Sequence, residues 1–325
     1  MFWDYLSTHQ ECIHQIMQLF SDRGTPYGYR FMNGYSGHTF KLVQKDGSFN
    51  YIKIHLKSNQ GIKTFTGEEA GKMAGENPDF ATQDLFEAIQ KGEHPSWTAY
   101  LQVMSPEQAE KFKYNIFDLT KVWPHDMVPM RRFGKLTLNR NVENYFAEIE
   151  QAAFAPSHLV PGVEPSADPV LQSRLFSYPD TQRYRLGVNY QQIPVNAPLN
   201  AFNPHQRDGK MAVNGNYGAN PNYPSSYRPL TYQNVKPTNP HETWAGTVVN
   251  DLFDEVKAQD YEQATALWKV LGRTKGQQEN FVKNVAGHLA GAHKDTRKAT
   301  YEMFSRVDKE LGEAIRTAID GSSRL

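Results

Sequence analysis

The sequence predicts an α+β chain: strands in its first part, a long extended stretch in the middle, and helices at the end. Three observations carry this. Apolar and polar residues alternate at 51–57 and 97–103, the period of a half-buried strand. Of the 19 prolines, 13 lie within residues 156–240. Beyond residue 280 apolar residues recur every three or four positions, the period of an amphipathic helix.

The strands are placed one at a time. At 51–57, Ile52, Ile54 and Leu56 share one face and Lys53, His55 and Lys57 the other. Residues 97–103 alternate in the same way, and 134–140 form a shorter example. Residues 30–43, aromatic-rich around Gly34 and Gly37, read as a fourth strand with a bend relieved by glycine. Turn material at 46–48 and 59–61 brackets the central strand. Helices are expected where cap residues precede acids: at Thr66, at Thr82, and at Ser105-Pro106, where proline takes the first helical position. Asn141 opens a further short helix.

Proline removes ladder donors and breaks helices, so residues 156–240 are expected to wrap in extended form over other surfaces. The tyrosine-rich stretch 214–227 argues against disorder, which is aromatic-poor. One helical island, about 171–187, interrupts this segment. In the tail, Phe281, Val285 and Leu289 step by four, and Tyr301, Phe304, Val307, Leu311 and Ile315 step by three and four along a last helix. His288 and His293, five apart, are off metal-ligand spacing and read as packing or surface residues. The expected organisation is 1–155, a strand domain with inserted helices; 156–240, the wrapping segment; and 241–325, a helical domain.

Composition excludes several classes. The 325 residues carry 35 basic and 35 acidic side chains, so no broad basic field invites nucleic acid or a membrane surface. One cysteine, Cys12, excludes an intrachain disulfide framework and a cysteine-rich metal site. No apolar run reaches the roughly 18 residues of a spanning helix, and mean hydropathy is −0.66. Aromatics reach 12%, which suits either an aromatic core or a flat cofactor.

The island holds the most informative chemistry. Arg174 and Tyr178 are four apart and so neighbours on one helix face. A guanidinium beside a phenol favours the phenolate, a hard anionic ligand suited to ferric iron. Arg185, seven residues beyond Tyr178, could add positive charge or meet a carboxylate. Taken alone the pattern is weak, since an Arg–Tyr pair four apart is usually surface packing.

The wording around it decides. Arg174-Leu-Phe-Ser-Tyr-Pro-Asp-Thr, followed by Tyr184-Arg-Leu-Gly and Asn189-Tyr190, resembles the proximal haem-ligand signature of the haem catalases. So do Met32-Asn-Gly-Tyr-Ser-Gly-His-Thr-Phe-Lys, Phe117-Asp-Leu-Thr-Lys-Val-Trp-Pro-His, Leu138-Asn-Arg-Asn-Val-Glu-Asn-Tyr-Phe-Ala, Gln206-Arg-Asp-Gly and Asn284-Val-Ala-Gly-His-Leu. The resemblance implies a haem b protein that disproportionates hydrogen peroxide, with Tyr178 the proximal iron ligand. It implies that Arg174 bonds the Tyr178 oxygen in a relay continuing to His38 and Asp168. It puts Phe154 and Leu119 against the haem and Arg185 at a propionate. It also implies an NADPH site of the small-subunit type at His14, Arg23, Asn33, Tyr35, Lys57, Val122, Trp123, His125 and Gln263, with Trp123 able to stack on a base. Gln18 stands where the family often has an aromatic or apolar contact.

The resemblance covers about the C-terminal two thirds of such a protein. Its fold centres on an eight-stranded antiparallel β-barrel, of which the strands here would be the second half. The family's distal histidine and asparagine lie in wording absent from this sequence, so little turnover is expected of this chain alone. An open half-barrel exposes two edges, which favours association. The alternative reading is a catalase-like chain that holds haem or NADPH, or docks on intact catalase subunits, without turnover; peroxygenase-like oxidation is a third. The resemblance suggests a homotetramer. The ending Ser323-Arg324-Leu325 resembles the Ser-Lys-Leu address read by the peroxisomal import receptor. A peroxisomal location is expected, with the cytoplasm the second choice.

Overall fold

A computed structural model of the chain describes residues 1–199, 209–212 and 256–321. The stretch 214–227, residues 206–208 of the Gln206 motif, most of the expected wrapping segment and the Ser323-Arg324-Leu325 ending lie outside the described residues.

The architecture is α+β. Six strands form one antiparallel sheet: β1 (Gly34–Tyr35), β2 (Phe40–Val43), β3 (Phe49–Ser58), β4 (Ser96–Met104), β5 (Arg131–Thr137) and β6 (Val163–Pro165). Their order is β5-β4-β3-β2-β6, with β1 also paired to β3. The central pair is long and in register, Tyr51 opposite Met104 and Lys53 opposite Gln102.

Three strand expectations change in the structure. Residues 30–43 are a 3-10 turn followed by two short strands rather than one bent strand, with Gly37 between them at φ +69°, a conformation that favours glycine. β5 begins three residues before the 134–140 alternation. It is exposed along almost its whole length, so its bounds follow its pairing with β4, not an apolar face. β6, too short to show a period, was not expected.

β3 is covered on both faces: Ile52 is buried as its alternation predicts, with Ile54 and Leu56 half-buried, but Tyr51, Lys53 and His55 on the face read as polar are buried as well. The cause is the connection from β4 to β5, which folds across the lysine face and brings Ile116, Trp123 and Val128 into one core with Tyr51 and Met104. Polar residues are satisfied beneath it. Gln102, fully buried, donates Nε2 to the carbonyls of Trp123 (3.0 Å) and Val128 (2.6 Å) and accepts from His55 Nε2 (2.9 Å).

Helix starts follow their caps. Thr66 caps α3 (Gly67–Glu76) in a reciprocal capping box with Glu69, and Ser105 does the same with Gln108 for α5 (Pro106–Glu110). α4 (Phe80–Gln90) starts before Thr82 and draws no side-chain cap bond. The helix expected from Asn141 is one π-helical turn, Phe146–Glu150.

The tail folds as α7 (Ala258–Leu271), α8 (Gln277–Leu289), α9 (Lys294–Val307) and α10 (Lys309–Asp320). The single last helix expected over 301–315 is thus two, because Asp308 leaves the helical conformation (φ −160°) and its carboxylate caps Glu310 and Leu311. Phe281, Val285, Leu289, Phe304, Leu311 and Ile315 are fully buried in one core, each burial worth about 1.5–3 kcal/mol. That core also takes in Trp3, Ile13, Ile16 and Met17 from α1 (Phe2–Thr8) and α2 (Ile13–Phe20). Residues of α1 and α2 thus share the core of the helical tail.

Candidate functional site

The site is built on α6 (Pro169–Leu186), the expected island. Asp168 is its N-cap: Oδ1 accepts from the amides of Val170 (2.9 Å) and Leu171 (3.0 Å). Pro169 follows at the first helical position, where a missing N–H costs nothing. Asp168 is fully buried, and its other oxygen accepts from His38 Nδ1 at 2.7 Å. His38 sits just before β2, so that bond ties sheet to helix.

The chain of bonds then turns outward. Arg174 Nη1 donates to His38 Nε2 (2.6 Å) and Nη2 to the Tyr178 hydroxyl (3.0 Å), while the guanidinium lies 4.9 Å from the Tyr178 ring centre. An arginine can only donate. His38 Nε2 must therefore accept, and its proton must sit on Nδ1, facing Asp168. Carboxylate, imidazole, guanidinium and phenol thus form one directional line from a buried anion to a half-buried phenol oxygen. Pro179, next along, has no N–H to return to Leu175.

Apolar surface lies nearby. Phe154 is 84% exposed, and its carbonyl accepts weakly from Gln182 of α6. Leu119, 43% exposed, belongs to the segment fixed to β2 by the bond from Thr39 Oγ1 to the Ile116 carbonyl. A phenol oxygen that already accepts from a guanidinium, with exposed Phe154 and Leu119 elsewhere on the surface, is a set of groups compatible with a flat metallated macrocycle. Arg185 is committed elsewhere: four of its five N–H groups reach the carbonyls of Glu150 and Ala152 and the Gln182 side chain, which leaves at most one for a propionate.

Eight of the nine residues expected around a dinucleotide fall into three groups. Lys57 donates to the Tyr35 hydroxyl (2.9 Å), as does Asn33 Nδ2 (3.2 Å). His125 approaches the same place: its ring lies 5.9 Å from His55, which lies 5.5 Å from Tyr35. Burial and then Lys57 hold the His125 imidazole below its ordinary range. A second group joins His14 and Arg23. Burial first, then the charges of Lys121 and Arg23, keep His14 low, so it is a neutral donor or acceptor among cations. The third group is Val122 and Gln263, which hydrogen-bond each other.

Trp123 behaves differently from the expectation. Its ring is 2% exposed, packed in the core with Lys53 5.3 Å from its centre and Phe112 at its edge, so it has no face to offer a base.

Two participants were missed. Lys53 and Gln102 read as outward polar residues of alternating strands, and nothing local distinguishes them from a solvated face. Burial holds the Lys53 ammonium down to about 8, partly offset by Asp168 and then Asp118. Lys121 is also buried, paired with Asp260 (2.6 Å) and Asp118 (3.3 Å). Only the spacing of Asp118 and Lys121, three apart, hinted at it.

Comparisons with known proteins agree with this arrangement. The family described as Catalase matches residues 1–229, and the family described as Catalase-related immune-responsive matches 254–319. The catalase of Schizosaccharomyces pombe is 59% identical over 322 residues, 98% of this chain and 63% of that protein. The peroxisomal catalase of Candida albicans is 54% identical over 321 residues, 98% of this chain and 66% of that one. The solved structure of catalase A from Saccharomyces cerevisiae superposes with a TM-score of 0.92 at 52% identity, covering 98% of this chain and 67% of that chain. Against the two curated relatives, then, the chain spans just under two thirds of their length. With the sheet, the capped helix and the family match across most of its residues, the chain belongs to the catalase family.

Proposed function

We propose that this chain supplies the proximal half of a haem site that disproportionates hydrogen peroxide to water and oxygen, with Tyr178 as the iron ligand. Membership in the catalase family implies a haem cofactor in general; haem b and ligation by Tyr178 are part of the proposal. The observation that carries it is the unbroken line from Asp168 through His38 and Arg174 to the Tyr178 oxygen.

Each residue then has a physical task. Asp168 fixes the His38 tautomer and anchors α6 in one stroke. His38 presents its lone pair to Arg174 and so holds the guanidinium in one orientation. Arg174 places a charged donor on the Tyr178 oxygen and so fixes how that oxygen could present its remaining lone pairs to iron. Phe154 and Leu119 offer apolar contact to a macrocycle. Bound there, haem iron would supply the redox chemistry by which one peroxide is reduced and another oxidised. NADPH is proposed at Lys57, Tyr35, Asn33 and His125, with His14 and Arg23 adding positive character. Gln18 is half-buried on α2, its carbonyl accepting from Ser21.

We also propose the three-part organisation with residues 2–20 reassigned to the helical unit, a homotetramer, and a peroxisomal location. The names of several relatives as peroxisomal catalases support the last. A second reading, a haem- or NADPH-holding assembly partner of intact catalase subunits, is favoured by one observation. The edge strand β5 leaves Phe133 58% and Leu136 41% exposed, an unpaired edge suited to another chain. Among the described residues no helix is long and apolar enough to cross a membrane.

Haem reconstitution followed by oxygen release from hydrogen peroxide separates the two. A Soret band with oxygen release supports disproportionation. A Soret band with no oxygen release, even after a catalase N-terminal segment is added, supports the assembly reading; release restored by that segment supports disproportionation, and absence of any Soret band overturns both as haem proposals.

A further inference from the structure

We infer that Gln263 is a positioning residue: α7 clamps residues 113–123 through it, and it acts on a dinucleotide only by holding Val122. The inference rests on the NADPH reading above and changes what Gln263 does within it. The Val122 amide donates to Gln263 Oε1 and the Val122 carbonyl accepts from Gln263 Nε2, each at 2.9 Å. An extended residue presents its N–H and C=O to the same side, so the glutamine amide takes the place of a neighbouring strand. Gln263 is buried, and its amide also reaches the Tyr114 hydroxyl. Both polar atoms of its amide are thus engaged by protein groups.

The clamp extends beyond one side chain. Lys121, beside Val122, reaches Asp260 at 2.6 Å. Further upstream, Glu262 receives Lys113 (2.6 Å) and the Tyr114 hydroxyl (2.9 Å), and Gln259 donates to the Lys113 carbonyl (2.7 Å). Gln259, Asp260, Glu262 and Gln263 occupy little more than one turn of α7, so one rigid helix surface holds two points of the segment. That segment includes Leu119, proposed above as a haem contact, and leads directly to His125 of the proposed dinucleotide patch. A loose segment would have to be ordered on binding, which lowers affinity without the loss of any ligand contact.

The test compares two readouts on the full-length chain: hydrogen exchange of the peptide containing Val122 without nucleotide, and NADPH affinity by fluorescence. Gln263→Ala is expected to speed exchange at Val122 by tenfold or more, leave α9 and α10 unchanged, and weaken NADPH several-fold. Gln263→Glu keeps one of the two bonds and should fall between. Lys57→Ala should weaken NADPH while exchange stays as in the parent chain. Weakened binding in Gln263→Ala with unchanged exchange at Val122 would make Gln263 a direct contact and overturn the inference. If the parent chain binds no NADPH, the dinucleotide reading falls, and the exchange result alone then decides whether the clamp exists.

Discussion

Replacing Asp168 tests the joint between sheet and helix. One buried carboxylate does two jobs: Oδ1 caps α6 on two amides, and Oδ2 receives the His38 proton at 2.7 Å. Asp168→Ala removes the cap, about 1 kcal/mol, and leaves the buried His38 N–H without an acceptor, about 1–3 kcal/mol. The expected cost is about 2–4 kcal/mol. Asp168→Asn has a single oxygen and can serve one job only. Turned to the amides, it faces His38 with an N–H and forces the imidazole proton toward Arg174, donor against donor. Turned to His38, it abandons the cap. Its cost should be about half that of alanine. Urea unfolding followed by circular dichroism measures all three proteins. Asparagine as stable as the parent, or alanine costing less than about 0.5 kcal/mol, would refute the two-armed role.

The other expectations concern the covered face of the sheet and the helical core. Lys53 is held down to about 8, against about 10.4 in an unfolded chain. Between those values the unfolded state keeps a proton that the folded state has released, so stability should rise with pH from about 8 to 10, by up to roughly 3 kcal/mol. Tyr51 and Tyr261, both pushed up to about 12 by burial, oppose this only above about 10. Urea titrations across that window should show the rise, and Lys53→Met should abolish it; an equal rise in the variant would contradict the assignment. Gln102→Ala strands two buried carbonyls and the His55 N–H and should cost about 2–5 kcal/mol, whereas a cost below 1 kcal/mol by the same method would show that the loop re-satisfies them. Phe281→Ala, in the fully buried helical core, should cost about 3–5 kcal/mol in a thermal or urea titration.

What the sequence disclosed followed from how local each signal is. The helices after Thr66 and Ser105 rest on cap bonds between residues two or three apart and start where read, whereas the island, read from about 171, starts at Pro169 because Asp168 caps it. The Arg174–Tyr178 neighbourhood is likewise set by helix geometry. His38 and Asp168 are 130 positions apart, and no period or spacing joins them; only the family wording did. The burial of the polar face of β3 has the same origin. Which side of a strand is buried depends on what folds over it, and here a loop some 70 residues further on buries Lys53 and His55 beneath Trp123. That loop also explains why Trp123 is unavailable to a base; Arg185, read as a charge that could meet a carboxylate, instead holds the carbonyls of Glu150 and Ala152, which no spacing along the helix foretells. β5 escaped accurate placement because an exposed strand has no apolar face to announce its ends.

The central claim is that the Tyr178 oxygen, held by Arg174, binds ferric iron. Resonance Raman spectroscopy of the haem-loaded chain should show an iron–phenolate stretching band that disappears in Tyr178→Phe and shifts in Arg174→Lys. Survival of the same band in Tyr178→Phe would contradict the account at its root.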